Sequence, residues 1–238
     1  MRYLEIDLIK GIAVILMVIF HFFYFSHFLN VKKYNISSYP LSTIAQIAHT
    51  LFILFMGINL SISYNKNKKD KKKYRKKILN KCVIYFLVAL YMSFFSYKIF
   101  GRESCVKLGI FHFMFFATII ASFYPGNNNL NLITIFIIIL LKFLVNNNKF
   151  ENINKYFGFI TGLNCKFGTL DYFPLIPWLA LVLLGILIGN NVYKDKKENN
   201  KINNIIENNV ILNNISKIGS KSLEIYIIHW PIIYLLIK

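Results

Sequence analysis

Long apolar blocks with few charges alternate with short polar segments along almost the whole chain. A helix needs roughly 20 mostly apolar residues to cross a bilayer, and soluble domains do not repeat such blocks. The pattern therefore predicts an all-α integral membrane protein. The predicted spans are Leu8–Phe28, Ile44–Ser63, Cys82–Tyr97, Leu108–Tyr124, Leu130–Val145, Phe173–Gly189 and Leu223–Ile237.

These blocks predict a polytopic bundle of about seven transmembrane helices that forms a single membrane-embedded domain over residues 1–238. Two loops are rich in Lys and Arg, Asn65–Lys77 and Lys194–Lys201. Such loops stay in the cytoplasm, and an even number of spans separates these two, as a shared side requires. The N-terminus is then expected in the cytoplasm and the C-terminus outside. The long linker Asn146–Tyr172 should face outward.

Composition supports a membrane protein and argues against nucleic-acid binding. The chain is 56% hydrophobic and has a net charge of +18. Its basic residues lie in the two loops rather than on a basic face with interleaved aromatic residues, so the charge is a topology signal. We therefore expect the lipid bilayer as a partner, no nucleic acid, and a multi-pass location in the cell membrane.

The three cysteines leave two alternatives open. Cys105 and Cys165 both fall in predicted outer linkers, where a disulfide could form, while Cys82 lies at the start of the third span. Three unpaired thiols are the other alternative, because spacing alone fixes no disulfide geometry. No spacing of ligand residues typical of a metal site is present.

The first predicted helix carries two ionisable groups on one side. Eleven residues turn a helix through about three turns, so Lys10 and His21 share a stripe and lie roughly 16 Å apart along the axis. Asp7, Val14 and Met17 fall close to the same stripe. Because charge facing lipid is costly, this stripe should face the protein interior, with Lys10 near the cytoplasmic end and His21 in the outer half.

Other candidate residues lie near the outer half of the bundle. In the last helix, Tyr226 and His229 follow Ser222 at helical spacing and share its face. His112 begins the fourth span, and Asp171 lies at the outer start of the sixth. Asp171 could orient or charge a histidine, or it could simply cap the N-terminus of the sixth span, where a carboxylate is favourable.

These motifs together resemble the catalytic-domain family of heparan-alpha-glucosaminide N-acetyltransferase, within the transmembrane acyltransferase group and distantly the acyltransferase-3 proteins. The similar segments follow the family's order along nearly the whole chain: LEIDLIKGIAVILMVIFHF, LFILFMGINLSIS, KLGIFHF, TLDYFPLIPWLALVLLGILIG and SKIGSKSLEIYIIHWPII.

The resemblance implies an enzyme that passes an acyl group, usually acetyl from acetyl-CoA, to a sugar or similar acceptor across the membrane. His21 matches the family's catalytic position, and Lys10 stands where the pattern has Arg. In some members a nearby histidine acts instead, and His27 is the candidate for that role here. The site expected from the residues and the resemblance has His21, Asp171 and His229 as catalytic residues, Lys10 as the contact for the acyl-CoA, and His112 and Tyr226 as substrate-binding residues.

Two alternatives belong to other functional classes. A proton-coupled transporter also uses intramembrane histidines and carboxylates, although no inverted repeat is visible in this sequence. A non-catalytic membrane module that has kept the fold is the second alternative, because lysine at position 10 lacks the bidentate fork of arginine. Protection of the fold by acyl-CoA would favour the enzyme over both alternatives.

Overall fold

The structure is a computed structural model that describes residues 3–103, 105–145, 155–163, 169–194 and 200–238. Within these residues the chain is all-α, and the one element of β pairing is an isolated parallel bridge between Leu108 and Tyr172. The helices are α1 (Leu4–Phe28), α2 (Leu41–Asn67), α3 (Lys71–Phe100), α4 (Ile110–Ala121), α5 (Asn128–Val145), α6 (Lys155–Thr161), α7 (Leu175–Val192), α8 (Asn200–Asn208), α9 (Val210–Ser220) and α10 (Ser222–Ile237).

Each of the seven predicted spans coincides with one of these helices. Four helices, α1, α2, α3 and α7, are long and apolar enough to cross a membrane. The apolar helices α4, α5 and α10 are shorter; α4 has 12 residues and is about 18 Å long, less than the roughly 30 Å hydrocarbon core. The all-α membrane class is therefore confirmed, while seven crossings and the sides of the two termini stay predictions.

Three helices, α6, α8 and α9, are absent from the predicted spans. Helices α8 and α9 lie in an asparagine-rich stretch whose polar residues interrupt every apolar run. A search for continuous apolar blocks misses such helices, because their apolar residues fall on one side only. Cys165, most of loop Lys194–Lys201 and much of linker Asn146–Tyr172 lie outside the described residues, so the Cys105–Cys165 disulfide stays a prediction.

The contacts divide the chain into two compact units, residues 1–55 with 196–238 and residues 56–195. In the first unit, α1 packs against α8, α9 and α10. Its closest neighbour is α9, and the approach depends on two glycines. A Cβ at Gly11 would collide with the carbonyl oxygen of Ile215, and one at Gly219 with that of Asp7. The two backbones therefore touch where α1 begins.

The inward side of α1 agrees with the predicted stripe. Asp7, Val14 and Met17 are buried, whereas Ile12 and Ile19 are 40% exposed on another side. Exposed isoleucines on a helix long and apolar enough to cross a membrane form a side that suits lipid. The predicted orientation of the helix is confirmed at these buried positions.

In the second unit, α7 is the central helix and packs against α4, α5 and α6, while α3 packs against α4. The C-terminal half of α2 also lies close to α7, because small residues on both helices allow a close approach. A Cβ at Gly57 would collide with the carbonyl oxygen of Val182, and one at Gly189 would lie 2.6 Å from the Cβ of Ser61.

A buried amide stabilises this second unit. Asn190 on α7 accepts a hydrogen bond from the Ser61 hydroxyl at 2.6 Å. Its amide nitrogen donates to the carbonyl of Pro125 at 2.8 Å and to the side chain of Asn128 at 2.7 Å. Because buried polar groups must be paired in an apolar surrounding, this network fixes α2, α5 and the α4–α5 connection onto α7.

Candidate active site

His21 lies on the inner stripe of α1, five turns or so into the helix. Its Nδ1 donates to the carbonyl oxygen of Met17, one turn earlier, at 2.9 Å. A neutral imidazole that donates through Nδ1 keeps its lone pair on Nε2. No hydrogen bond among the described residues occupies that Nε2, so His21 presents a proton acceptor.

His229 on α10 is arranged in the same way. Its Nδ1 donates to the carbonyl oxygen of Tyr226 at 2.6 Å, and the side chain is 3% exposed. Its Nε2 is buried and has no hydrogen-bond partner within the described part of the chain. An unpaired buried nitrogen of this kind is costly, and it marks a place where a bound molecule or water can supply the partner.

The two histidines form a pair. Their ring centroids are 4.8 Å apart and their planes meet at 70°. The indole of Trp230 lies 5.7 Å from the His21 ring and 5.1 Å from the ring of Phe25, which is fully buried. Two imidazoles with free Nε2 atoms thus stand side by side in an aromatic surrounding, where a proton could be passed between them or taken from a bound acceptor.

Tyr226, predicted to bind substrate, lies beside this histidine pair. It is 8% exposed, and its ring centroid is 5.1 Å from that of His229 and 6.2 Å from that of Phe52. Its backbone carbonyl orients His229, so the residue contributes to the site through the main chain as well as through its ring. Binding of substrate by its side chain stays a prediction.

His27, the alternative catalytic histidine, has a different role in the structure. Its Nδ1 accepts a hydrogen bond from the backbone N–H of Tyr34 at 3.2 Å, in the loop that follows α1. This bond uses the lone pair that a base would need and places the N–H on Nε2. The geometry therefore favours His21 over His27 as the base.

Lys10 lies near the start of α1 with its side chain 22% exposed. Its Nζ is 3.4 Å from Oδ1 of the buried Asp7, one turn earlier on the same helix. A single i,i+3 pair leaves two of the three ammonium protons for another acceptor. Contact with the phosphates of an acyl-CoA stays a prediction for this residue.

In the second unit, His112 lies in the first turn of α4. Its Nε2 is 3.3 Å from the hydroxyl oxygen of Ser93, and that hydroxyl donates to the carbonyl of Val106 at 2.7 Å. The serine proton is thus committed to the backbone, which leaves Ser93 as acceptor for an N–H of His112. This arrangement orients the imidazole but does not activate the serine as a nucleophile.

Asp171 lies before α7, and the structure corrects the expected placement of its cap. Its Oδ2 accepts from the backbone N–H of Ile110 at 3.3 Å, so it caps α4 and not α7, whose N-cap residue Pro174 makes no side-chain bond. Among the described residues no hydrogen bond joins it to a histidine. Partial burial raises the pKa of its carboxyl to about 6, against the opposing effect of the two backbone N–H groups of Ile110 and Tyr172.

The segments that precede α4 and α7 pair with each other, and this pairing places Asp171 at the start of α4. Phe173 donates its backbone N–H to the carbonyl of Leu108 at 2.8 Å, and Thr169 accepts from the N–H of Lys107 at 3.0 Å. A Cβ at Gly109 would lie 2.9 Å from Oδ2 of Asp171 and 2.6 Å from a methyl carbon of Val106, so a larger residue there would displace the carboxylate. The DYFP motif, residues 171–174, thus pairs with the segment that precedes α4 and caps that helix.

No group of three or more His, Cys, Asp or Glu side chains suited to a metal ion occurs within the described ranges. The model of the family described as heparan-alpha-glucosaminide N-acetyltransferase, catalytic, matches residues 2–231 of this chain. The chain belongs to this family. No curated protein and no solved structure matches it.

Membership of the heparan-alpha-glucosaminide N-acetyltransferase catalytic-domain family confirms the resemblance seen in the sequence and makes the chain a membrane acyltransferase by family. The match includes α1 and most of α10, the two helices that carry the histidine pair. The features that the sequence could not reveal are the carbonyl partners of the two histidines and the aromatic surrounding formed with Trp230.

Proposed function

We propose that this chain transfers an acetyl group from acetyl-CoA, approaching from the cytoplasmic side, to a hydroxyl or amine of a sugar or similar small acceptor on the outer side of the cell membrane. The observation that carries the proposal is the pair of His21 and His229, both with Nδ1 bonded to a helical carbonyl and both with Nε2 available. Family membership supports the reaction class.

His21 is the proposed general base. Its Nε2 takes the proton of the acceptor hydroxyl or amine as the acceptor oxygen or nitrogen attacks the thioester carbonyl. The carbon–sulfur bond then breaks, the acetyl group stays on the acceptor, and the proton passes from His21 to the CoA thiolate. His229, 4.8 Å from His21 between ring centroids, is placed to share or relay that proton.

The donor's approach rests on Lys10 and on the topology. Lys10 is at the end of α1 that the basic loop Asn65–Lys77 predicts to be cytoplasmic, and an ammonium there suits a phosphate. The stripe from Lys10 to His21 is roughly 16 Å long, which a thin pantetheine arm can follow. For Asp171 and His112 we retain the proposed roles in catalysis and in acceptor binding.

The test is acetyl transfer by purified protein in proteoliposomes with radiolabelled acetyl-CoA and a panel of sugar and amine acceptors. His21→Ala should lower the rate by a factor of about 100 or more, because general bases contribute on the order of 10²–10⁴. Phe22→Ala is the matched control, since Phe22 is the next residue and its side chain is 42% exposed on another side of α1. His27→Ala should also retain activity.

Full transfer by a folded His21→Ala protein would refute the assignment of the base. Sidedness is tested separately, with acetyl-CoA added only outside vesicles of known orientation. Acetyl transfer should occur only in vesicles whose protein is oriented with the two basic loops on the outside, the side to which acetyl-CoA is added. Movement of the acceptor across the membrane without acyl-CoA would instead identify a transporter, and Asp171→Asn and His112→Ala in the same assay test the roles of those two residues.

A further inference from the structure

A cavity of about 1030 Å³ lies in the second unit, beside the basic segment at the start of α3. One side of it is a single face of α3, on which Lys71, Arg75, Ile78 and Cys82 follow one another at helical spacing. The lining thus changes along one helix from two cations to apolar side chains. A molecule that matches this lining has an anionic group at one end and an apolar chain at the other.

The cationic part of the cavity has no counter-ion of its own. Neither Lys71 nor Arg75 forms an ion pair with a carboxylate in the described part of the chain, and none of the lining residues is acidic. The nearest acid in sequence, Asp70, caps α3 by accepting from the backbone N–H of Lys73 at 2.9 Å. The free N–H groups at the start of α3 add a further positive potential.

Two tyrosines line the same region. Tyr74 is 8% exposed, and its hydroxyl has no hydrogen-bond partner among the described residues. Its ring lies against that of Tyr64, with centroids 5.4 Å apart. An unpaired buried hydroxyl of a residue that lines the same cavity as two cations is a donor that an anionic oxygen can satisfy, and a phosphate offers several such oxygens.

The apolar part of the cavity is open towards the side of the helix that faces lipid. Leu79 and Phe123 line the cavity and are 63% and 78% exposed. Further along α3, Phe86 is 47% exposed, and its ring is 5.5 Å from that of Phe115, another lining residue. Since α3 is long and apolar enough to span a membrane, this exposed apolar face suits contact with acyl chains.

We propose that this cavity binds a phosphate group joined to an apolar chain, and that its occupant is an anionic phospholipid. Lys71, Arg75 and the Tyr74 hydroxyl hold the phosphate, and the acyl chain follows α3 past Leu79 towards Phe86. A soluble phosphate compound shares the headgroup chemistry, but it gains nothing from the exposed apolar rim. The proposal does not depend on acetyl transfer.

Cys82 reports on occupancy because its side chain lines the cavity. In a Cys105→Ser, Cys165→Ser protein, delipidated in detergent, we would measure alkylation of Cys82 by a small maleimide. Dioctanoyl phosphatidylglycerol should slow the reaction in a saturable way. Dioctanoyl phosphatidylcholine should require at least about tenfold more lipid for the same effect, and acetyl-CoA should not protect.

Matched variants separate a built site from general attraction between charges. Lys71→Gln with Arg75→Gln should raise the phosphatidylglycerol concentration needed for half protection by about tenfold or more. Lys72→Gln with Lys76→Gln removes the same charge at the same spacing on exposed residues outside the cavity, and it should change that concentration less than twofold. Tyr74→Phe removes only the unpaired hydroxyl and should weaken protection several-fold.

Three results would overturn the proposal. Equal weakening by the two double variants would show that lipid is attracted by net charge alone. Protection by acetyl-CoA without protection by phosphatidylglycerol would assign the cavity to a soluble phosphate compound. An alkylation rate that none of these molecules changes would show that the cavity binds no such ligand. Tyr74→Phe keeps the size of the side chain, so its result does not depend on whether the charge variants fold.

Discussion

The imidazole rings of His21 and His229 meet at 4.8 Å between centroids and at an angle of 70°. The two residues belong to the first and the last helix of the chain, and each is oriented by a carbonyl of its own helix. Each histidine is therefore held in place by its own helix. Each imidazole ring also forms part of the environment of the other ring's Nε2.

His229→Ala should lower kcat for acetyl transfer by about 100-fold or more, while KM for acetyl-CoA changes little. The reason is that His229 lies against the proposed base and makes no contact that would hold the donor phosphates. The measurement is steady-state transfer in proteoliposomes. Ile228→Ala, at a neighbouring position that is 50% exposed, is the control and should keep the wild-type rate. A His229→Ala rate within threefold of wild type would contradict the prediction.

Lys10→Gln should raise KM for acetyl-CoA by about tenfold with a smaller change in kcat. Loss of one charge-assisted hydrogen bond to phosphate costs about 1.5–3 kcal/mol, and Lys10 is too far from His21 to act in the chemical step. Lys10→Arg should preserve or lower KM, because arginine keeps the charge and adds a fork. An unchanged KM in Lys10→Gln would show that the pair with Asp7 is the residue's whole role.

The predictable part of the fold is the part that depends on continuous apolar runs. All seven apolar blocks are helices, because a chain in lipid satisfies its backbone groups within each segment. The asparagine-rich helices α8 and α9 escaped prediction, since their apolar residues fall on one side only and form no continuous run. Gly11 and Gly219 permit the close contact between α1 and α9.

The candidate site shows the same division. The stripe from Lys10 to His21 follows from helical geometry alone, so its inward side could be predicted. The contact of His21 with His229 could not, because it depends on how α1 and α10 pack. Likewise, the spacing of Asp171 from α7 suggested a cap on its own helix, whereas the pairing of two linkers takes the carboxylate to α4.

Asn190→Ala should destabilise the protein by about 2–4 kcal/mol, because it removes the buried amide that accepts from the Ser61 hydroxyl and donates to Asn128 and to the Pro125 carbonyl. Thermal unfolding in detergent measures the effect. Asn191→Ala is the matched control: Asn191 is exposed and accepts one bond, at 3.3 Å, so its loss should cost less than about 0.5 kcal/mol. Equal loss in both variants would contradict the network's role.

The carboxyl of Asp171 should make stability depend on pH. Burial raises its pKa from an ordinary 3.8 to about 6, so the folded protein binds a proton that the unfolded chain releases between these values. Its stabilising contribution is full below about pH 4 and is lost as pH rises through about 6. Asp171→Asn stays neutral at every pH and can still accept from the N–H of Ile110.

The unfolding temperature of Asp171→Asn should therefore exceed that of the wild type at pH 8, and the difference should shrink towards zero at pH 4. The measurement is thermal unfolding in detergent across that range. Glu103→Gln, at an exposed position in the linker before α4, is the control, and at pH 8 it should change the unfolding temperature by less than Asp171→Asn does. A constant difference between Asp171→Asn and wild type would mean that the carboxyl keeps one charge state throughout, and its capping of α4 would then be independent of pH.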